Sequence, residues 1–160
     1  MTKKALYLED LNIGDTFKSE EFTLSKNDII TFAKQYDPQD FHIDEDLAKD
    51  TFFNTLSASG WHTAAATMRV LVDSIPLASG MIGAGVELSW PNPVHPGDTL
   101  STTSVIKDIT YSQSKPDQGI VVLESTVTNQ NNEVCMINTS KLVTFRSCLL
   151  YTSPSPRDRG

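Results

Sequence analysis

Cysteine is scarce in this chain, with two in 160 residues. Cys135 and Cys148 show no metal-binding spacing, and no disulfide framework is expected. Long apolar runs are missing as well. None approaches the roughly 20 residues that a membrane-spanning helix requires. The opening stretch MTKKALYLEDLNIGD has two lysines but no apolar segment behind them, and Asp10 and Asp15 come early. It has neither the pattern of a secretory signal nor the Arg-rich, acid-poor character of a transit peptide. Basic clusters are also absent. Twenty acidic residues against 13 basic ones leave a net charge of −7, a poor match to nucleic acid or an anionic membrane. The expectation is a cytoplasmic protein with neither nucleic acid nor membrane as a partner.

What is present is ordinary for a soluble globular protein: 39% hydrophobic and 21% charged residues. The length suits one domain with a real core and is short for two. Residues 1–146 read as that single domain. The segment SCLLYTSPSPRDRG, residues 147–160, changes character abruptly and resembles vector-derived sequence. It is expected to be a disordered or non-native tail that holds Cys148 and lies outside the fold.

Residues 15–24 alternate well enough to predict a first strand. Ser25 followed by KNDIITFAKQY predicts a capped helix with Asp28 in its first turn. Pro38 disfavours helical geometry at Asp37, so that helix should stop near Tyr36. A short helix is expected over EDLAKDTFF. The segment SASGWHTAAATMRVLVDSI, residues 57–75, is apolar on almost every side, which predicts a long buried helix capped by Ser57 or Ser59. From residue 82 onward the chain is rich in Val, Thr, Ile and Ser, broken by polar turns, and reads as four strands. IGDTF and PGDTL both look like a Gly-Asp turn entering a strand. The order predicts an α+β chain, an antiparallel sheet curled around one helix.

Three features carry possible chemistry. The stretch YDPQDFHID places Asp37 and His42 five positions apart. Histidine titrates near neutrality and a carboxylate can orient or accept a proton, so the two could share acid/base work. A solvated turn with a surface histidine fits the same residues. Gly60, near the start of the long helix, has an amide without an intrahelical partner at the electropositive helix end. It could serve a developing oxyanion or simply permit close packing. His42, Asp44, Asp46 and His62 can be drawn as metal ligands, but Asp44 and Asp46 are more simply the acidic first turn of the short helix, and no metal is expected. Ser57, Ser59 and His62 lack a nucleophile-elbow pattern. Trp61 and Trp90 read as pocket or interface bulk.

YDPQDFHID, ASGWHTAAATMRVLVD and WPNPVHPGDTL, in this order and spacing, resemble the MaoC-like dehydratases, relatives of the R-specific enoyl-CoA hydratases. The resemblance covers residues 7–146. It implies a hot-dog fold, a long central helix wrapped by a curved antiparallel sheet, and a homodimer or higher homo-oligomer whose sheets join. It implies reversible hydration of an α,β-unsaturated acyl-CoA thioester. Asp37 and His42 would grip the water and the Gly60 amide would receive the oxyanion. Gln39, Ser59, Trp61 and His62 are the substrate-binding candidates. No cofactor is implied, coenzyme A being part of the substrate. The chain departs from the family motif at Gln39 and Asp40, where Asn-Pro is usual, and at Tyr36, where Gly is usual. Two other readings are an acyl-CoA thioesterase of the same fold and a non-catalytic acyl-CoA-binding module.

Overall fold

The computed structural model describes residues 4–147, so the expected tail beyond Ser147, with Cys148, lies outside the described residues. A 3-10 turn at Leu8–Asp10 leads into two short strands, β1 (Thr16–Lys18) and β2 (Phe22–Thr23). Three helices follow, α1 (Lys26–Tyr36), α2 (Asp40–Ile43) and α3 (Glu45–Ala48), then the long α4 (Gly60–Ser74). Four strands close the fold: β3 (Ile82–Ser89), β4 (Thr99–Tyr111), β5 (Gln118–Thr128) and β6 (Val134–Phe145). The sheet is antiparallel in the order β1-β4-β5-β6-β3, with β2 also paired to β4.

The expected first strand is broken in two. β1 and β2 both pair with β4, but one extra residue enters between them, so the two pairings are out of register. Ser19 fills the gap: its hydroxyl accepts from the Thr102 amide at 2.9 Å and its own amide donates to the Thr102 carbonyl. The two Gly-Asp turns match each other. Gly14 and Gly97 take φ of +95° and +83°, which glycine adopts at little cost. In each turn the aspartate accepts from the amide three residues earlier, Asn12 to Asp15 at 2.9 Å and His95 to Asp98 at 2.8 Å.

Helix α1 forms as the sequence predicts. Ser25 accepts from the Asp28 amide at 3.0 Å, and Ile29 and Ala33 pack inward. The helix expected over EDLAKDTFF stops at Ala48. Asp44 caps its start by accepting from Asp46 and Leu47, while Phe52 and Phe53 lie in the turns beyond. Asp40–Ile43, read as part of a turn, is one helical turn.

The long helix begins at Gly60, with Ser59 rather than Ser57 as its cap. It is not buried all round. Thr63, Thr67 and Leu71, four residues apart, face the sheet and are buried, whereas Trp61, Met68 and Val72 are exposed on the other side. Among the described residues β3 pairs only with β6, and it is exposed along almost its whole length. The helix and the inner faces of β4, β5 and β6 enclose two apolar clusters. One is built on Leu100, Val127, Met136 and Cys135, the other on Leu8, Leu71, Ile106 and Leu123. Among the described residues no helix is long and apolar enough to cross a membrane.

Candidate active site

Asp37 follows the last turn of α1, and its amide closes that helix on the Ala33 carbonyl at 2.7 Å. Pro38 then turns the chain, and α2 carries His42 back toward Asp37. His42 is only 6% exposed. Its Nδ1 lies 2.6 Å from the Ser57 carbonyl oxygen. A carbonyl can only accept, so Nδ1 carries a proton, and Nε2 is an acceptor whenever the ring is neutral. Phe41 packs edge-on to the ring with centroids 4.6 Å apart. The backbone around Ser57 is pinned twice, by Ser57 N–H to the Phe41 carbonyl and Ala58 N–H to the Val94 carbonyl.

His42 Nε2 faces Asp37 Oδ2 at 3.4 Å. The same Oδ2 accepts from the Ser59 hydroxyl at 2.7 Å, and Oδ1 accepts from Gln39 Nε2 at 2.6 Å. Burial pushes the Asp37 carboxyl up, but the bonds from Gln39 and Ser59, together with nearby His42, outweigh it and hold the pKa below the ordinary carboxylate value. Ser59 acts at two places at once. While its hydroxyl donates to Asp37, its oxygen accepts from the Trp61 amide at 3.2 Å and so caps α4.

Gly60 is the first helical residue, so its amide has no intrahelical acceptor. Close packing is observed at Gly60 as well. A Cβ added there would lie 2.6 Å from Trp90 Cε2, and the Trp90 indole N–H donates to the Gly60 carbonyl at 3.0 Å. The bare glycine therefore lets one face of the helix end be covered by an indole. Trp61 stands edge-on to Trp90, with centroids 5.4 Å apart.

Asp37, His42, Gly60 and Trp61 line one cavity of about 370 Å³. Gln39 and Ser59 touch Asp37 from outside that lining. His62 does not line it. It stacks flat on Phe32, with centroids 4.6 Å apart, and its Nδ1 is buried without a hydrogen-bond partner. Burial lowers its pKa, against the opposing pull of Asp28. Sequence reasoning missed several walls of the cavity, among them Phe52, Phe53, Asn92 and Cys135. The run Trp90-Pro91-Asn92-Pro93 was a usable signal, since two prolines end a strand and stiffen the loop after it. Cys135 gave none. Its thiol is fully buried and pushed up to about 11 by burial, with Asp98 and Glu133 adding to the shift.

An antiparallel sheet packed against one long helix is the hot-dog arrangement, and here an aspartate and a histidine meet at that helix's N-terminus. The chain belongs to the MaoC-like domain family, whose model matches residues 10–129. It is 51% identical to a MaoC-like dehydratase from Rhodospirillum rubrum, whose crystal structure superposes with a TM-score of 0.88 over 89% of this chain and 99% of that one. It is 31% identical to the Bacillus subtilis (strain 168) protein YdeM over 126 residues, 77% of this chain and 87% of the other. The unliganded R-hydratase PhaJ1 from Pseudomonas aeruginosa shares the fold, with a TM-score of 0.73 at 20% identity, over 89% of this chain and 88% of that one.

Proposed function

We propose that this protein reversibly adds water to the double bond of an α,β-unsaturated acyl-CoA thioester. The observation that carries the reading is the approach of His42 Nε2 to Asp37 Oδ2, 3.4 Å apart in a cavity that Gly60 also lines. Two acceptors that close suit one water gripped by both its protons, with its oxygen lone pair turned toward the substrate Cβ. As the C–O bond forms, His42 Nε2 takes a proton from the water. The resulting imidazolium then returns a proton to Cα, so the sum is H and OH added across one C=C bond. Asp37, held ionised by its hydrogen bonds, stabilises the imidazolium and orients the water. Acid/base assistance of this type contributes roughly 10²- to 10⁴-fold in rate. The Gly60 amide at the helix N-terminus meets the thioester oxygen as it gains enolate charge, an interaction of about 3 kcal/mol.

The partner in this reading is a second copy of the chain. Met68, on the exposed stripe of α4, lines one groove with Val86, which is 62% exposed on the outer edge of β3. A second β3 pairing along that edge would extend the sheet and cover both surfaces.

The test is crotonyl-CoA with the wild-type protein, following loss of the conjugated-thioester absorbance while a thiol reagent reports free coenzyme A. Hydration without thiol release supports the proposal. Thiol release at the same rate makes the protein a thioesterase. Tight binding with neither change makes it a binding module.

A further inference from the structure

The cavity opens among aromatic side chains. Phe52, Trp61 and Trp90 line it and are exposed, Phe52 by 91% and Trp61 by 60%. Ala58, Thr63, Val94 and Cys135 also line it and are buried. The mouth is therefore a rim of rings around an opening whose other end lies in the core. Large apolar groups gathered in solvent mark a place where something binds.

The rings are also held in place. The Trp90 indole is tied to the Gly60 carbonyl at 3.0 Å, and Trp61 stands edge-on to it. Phe52 stands edge-on to Phe53 with centroids 5.3 Å apart, and Phe53 lies against Phe41 at 4.9 Å. A rim ordered beforehand loses little freedom when a ligand arrives.

The charge beside the rim has one sign. Residues 37–53 run from the catalytic pair to the rim, and they carry Asp37, Asp40, Asp44, Glu45, Asp46 and Asp50 against one lysine, Lys49. Lys49 Nζ lies 3.2 Å from the Asp46 carboxylate, and Lys26 of α1 is paired with Glu45. Among the described residues no lysine or arginine lines the cavity.

A thioester with its carbonyl at Gly60 and its Cβ at the Asp37–His42 pair must send its carrier arm out through this mouth. The part of the arm nearest the sulfur is pantetheine, made of amides, methylenes and two methyl groups, all uncharged. The phosphates of coenzyme A come beyond it. Aromatic rings suit the first part, and the acidic strip repels the second.

We propose that the rim is a binding site for the uncharged pantetheine arm, gripped by Phe52 and Trp61, and that the phosphates of coenzyme A stay in solvent and add nothing favourable to recognition. This inference rests on the hydration reading above and names how its substrate is held.

The experiment compares crotonyl-CoA with crotonyl-pantetheine, which ends before the phosphates, on the wild type, Phe52→Ala and Trp61→Ala. For the wild type, kcat/KM with the pantetheine thioester should lie within about tenfold of that with the CoA thioester, or exceed it. Raising the salt from about 20 to 300 mM should leave kcat/KM for crotonyl-CoA level or raise it, because screening weakens a repulsion. Each variant should raise KM for both carriers by about fivefold or more, with a smaller change in kcat. Phe52 is exposed, so Phe52→Ala should keep the wild-type melting temperature and reads the rim even if Trp61→Ala fails to fold. A CoA thioester favoured by more than about tenfold, a kcat/KM that falls with salt, or a KM that moves in neither variant overturns the proposal. If neither thioester turns over, the hydration reading fails by itself, and calorimetry with butyryl-CoA and butyryl-pantetheine reads the rim separately. Affinities within about tenfold of each other, weakened together by Phe52→Ala, uphold the rim. Binding of the CoA thioester alone, or of neither, overturns it.

Discussion

The Ser59 hydroxyl links the N-terminus of α4 to the Asp37 carboxylate: it accepts from the Trp61 amide at 3.2 Å and donates to Asp37 Oδ2 at 2.7 Å. One side chain therefore fixes both the helix end that would receive substrate charge and the carboxylate that would orient water. Ser59→Ala should lower stability by about 1 kcal/mol through loss of the cap. It should also cut hydration kcat by at least tenfold, with a smaller change in KM. Urea unfolding and steady-state kinetics check the two effects separately.

Gly60→Ala drives a methyl group into the Trp90 indole, at a separation of 2.6 Å. Overpacking of this kind costs about 1–3 kcal/mol. The indole must shift, and its hydrogen bond to the Gly60 carbonyl weakens. Thermal unfolding should show the loss, and tryptophan fluorescence should change with it. Adding Trp90→Ala should recover part of the stability lost on going to alanine, because the clash disappears. A Gly60→Ala protein as stable as the wild type would show that the helix end has room to spare.

His62 gives a pH prediction. Its folded-state pKa is depressed by burial, so the unfolded chain binds the proton more readily. Stability is full above the unfolded value of about 6.5 and declines as the pH falls below it toward the folded pKa. His62→Leu removes the titrating ring and the unpartnered Nδ1. The variant should equal or exceed wild-type stability at pH 8, by up to about 1 kcal/mol. Its advantage should grow between pH 7 and pH 5, read by denaturant midpoints at each pH.

Val86→Lys places a charge at the exposed β3 edge beside the bare stripe of α4. Sedimentation equilibrium should find the wild type as a dimer or larger and the variant shifted toward monomer. Equal masses for the two would move the interface elsewhere. Lysine blunts edge strands in this manner because strand pairing would bury its charge.

Much of this fold was legible in the order of the residues. The alternation of TLSTTSVIKDITY and the Gly97-Asp98 turn announced β4, and Ser25 with Asp28 announced α1. Those signals are local, carried by side-chain period and turn chemistry. The exposed face of α4 was not legible, because Met68 and Val72 look the same in a sequence whether a core or a second subunit covers them. Asp37 and His42 were visible as a spaced pair, but their meeting depends on Pro38 and the single turn of α2. Cys135 lies far along the chain from His42 and enters the cavity only through the pairing of β6 with β5. Long-range placement of that kind leaves no local trace. Gln39, a substrate-binding candidate from the sequence, has its amide on Asp37 Oδ1. His62, expected there too, is stacked on Phe32 of α1.

The central claim is that Asp37 and His42 work as one pair on one water. Its most direct test is hydration of crotonyl-CoA by the wild type, Asp37→Asn, His42→Gln and the double variant, each shown to be folded by circular dichroism. Each single change should lower kcat by at least 10³-fold, and the double variant should fall little further, because groups that act as a unit are not additive. A folded Asp37→Asn protein that keeps wild-type kcat would contradict the account.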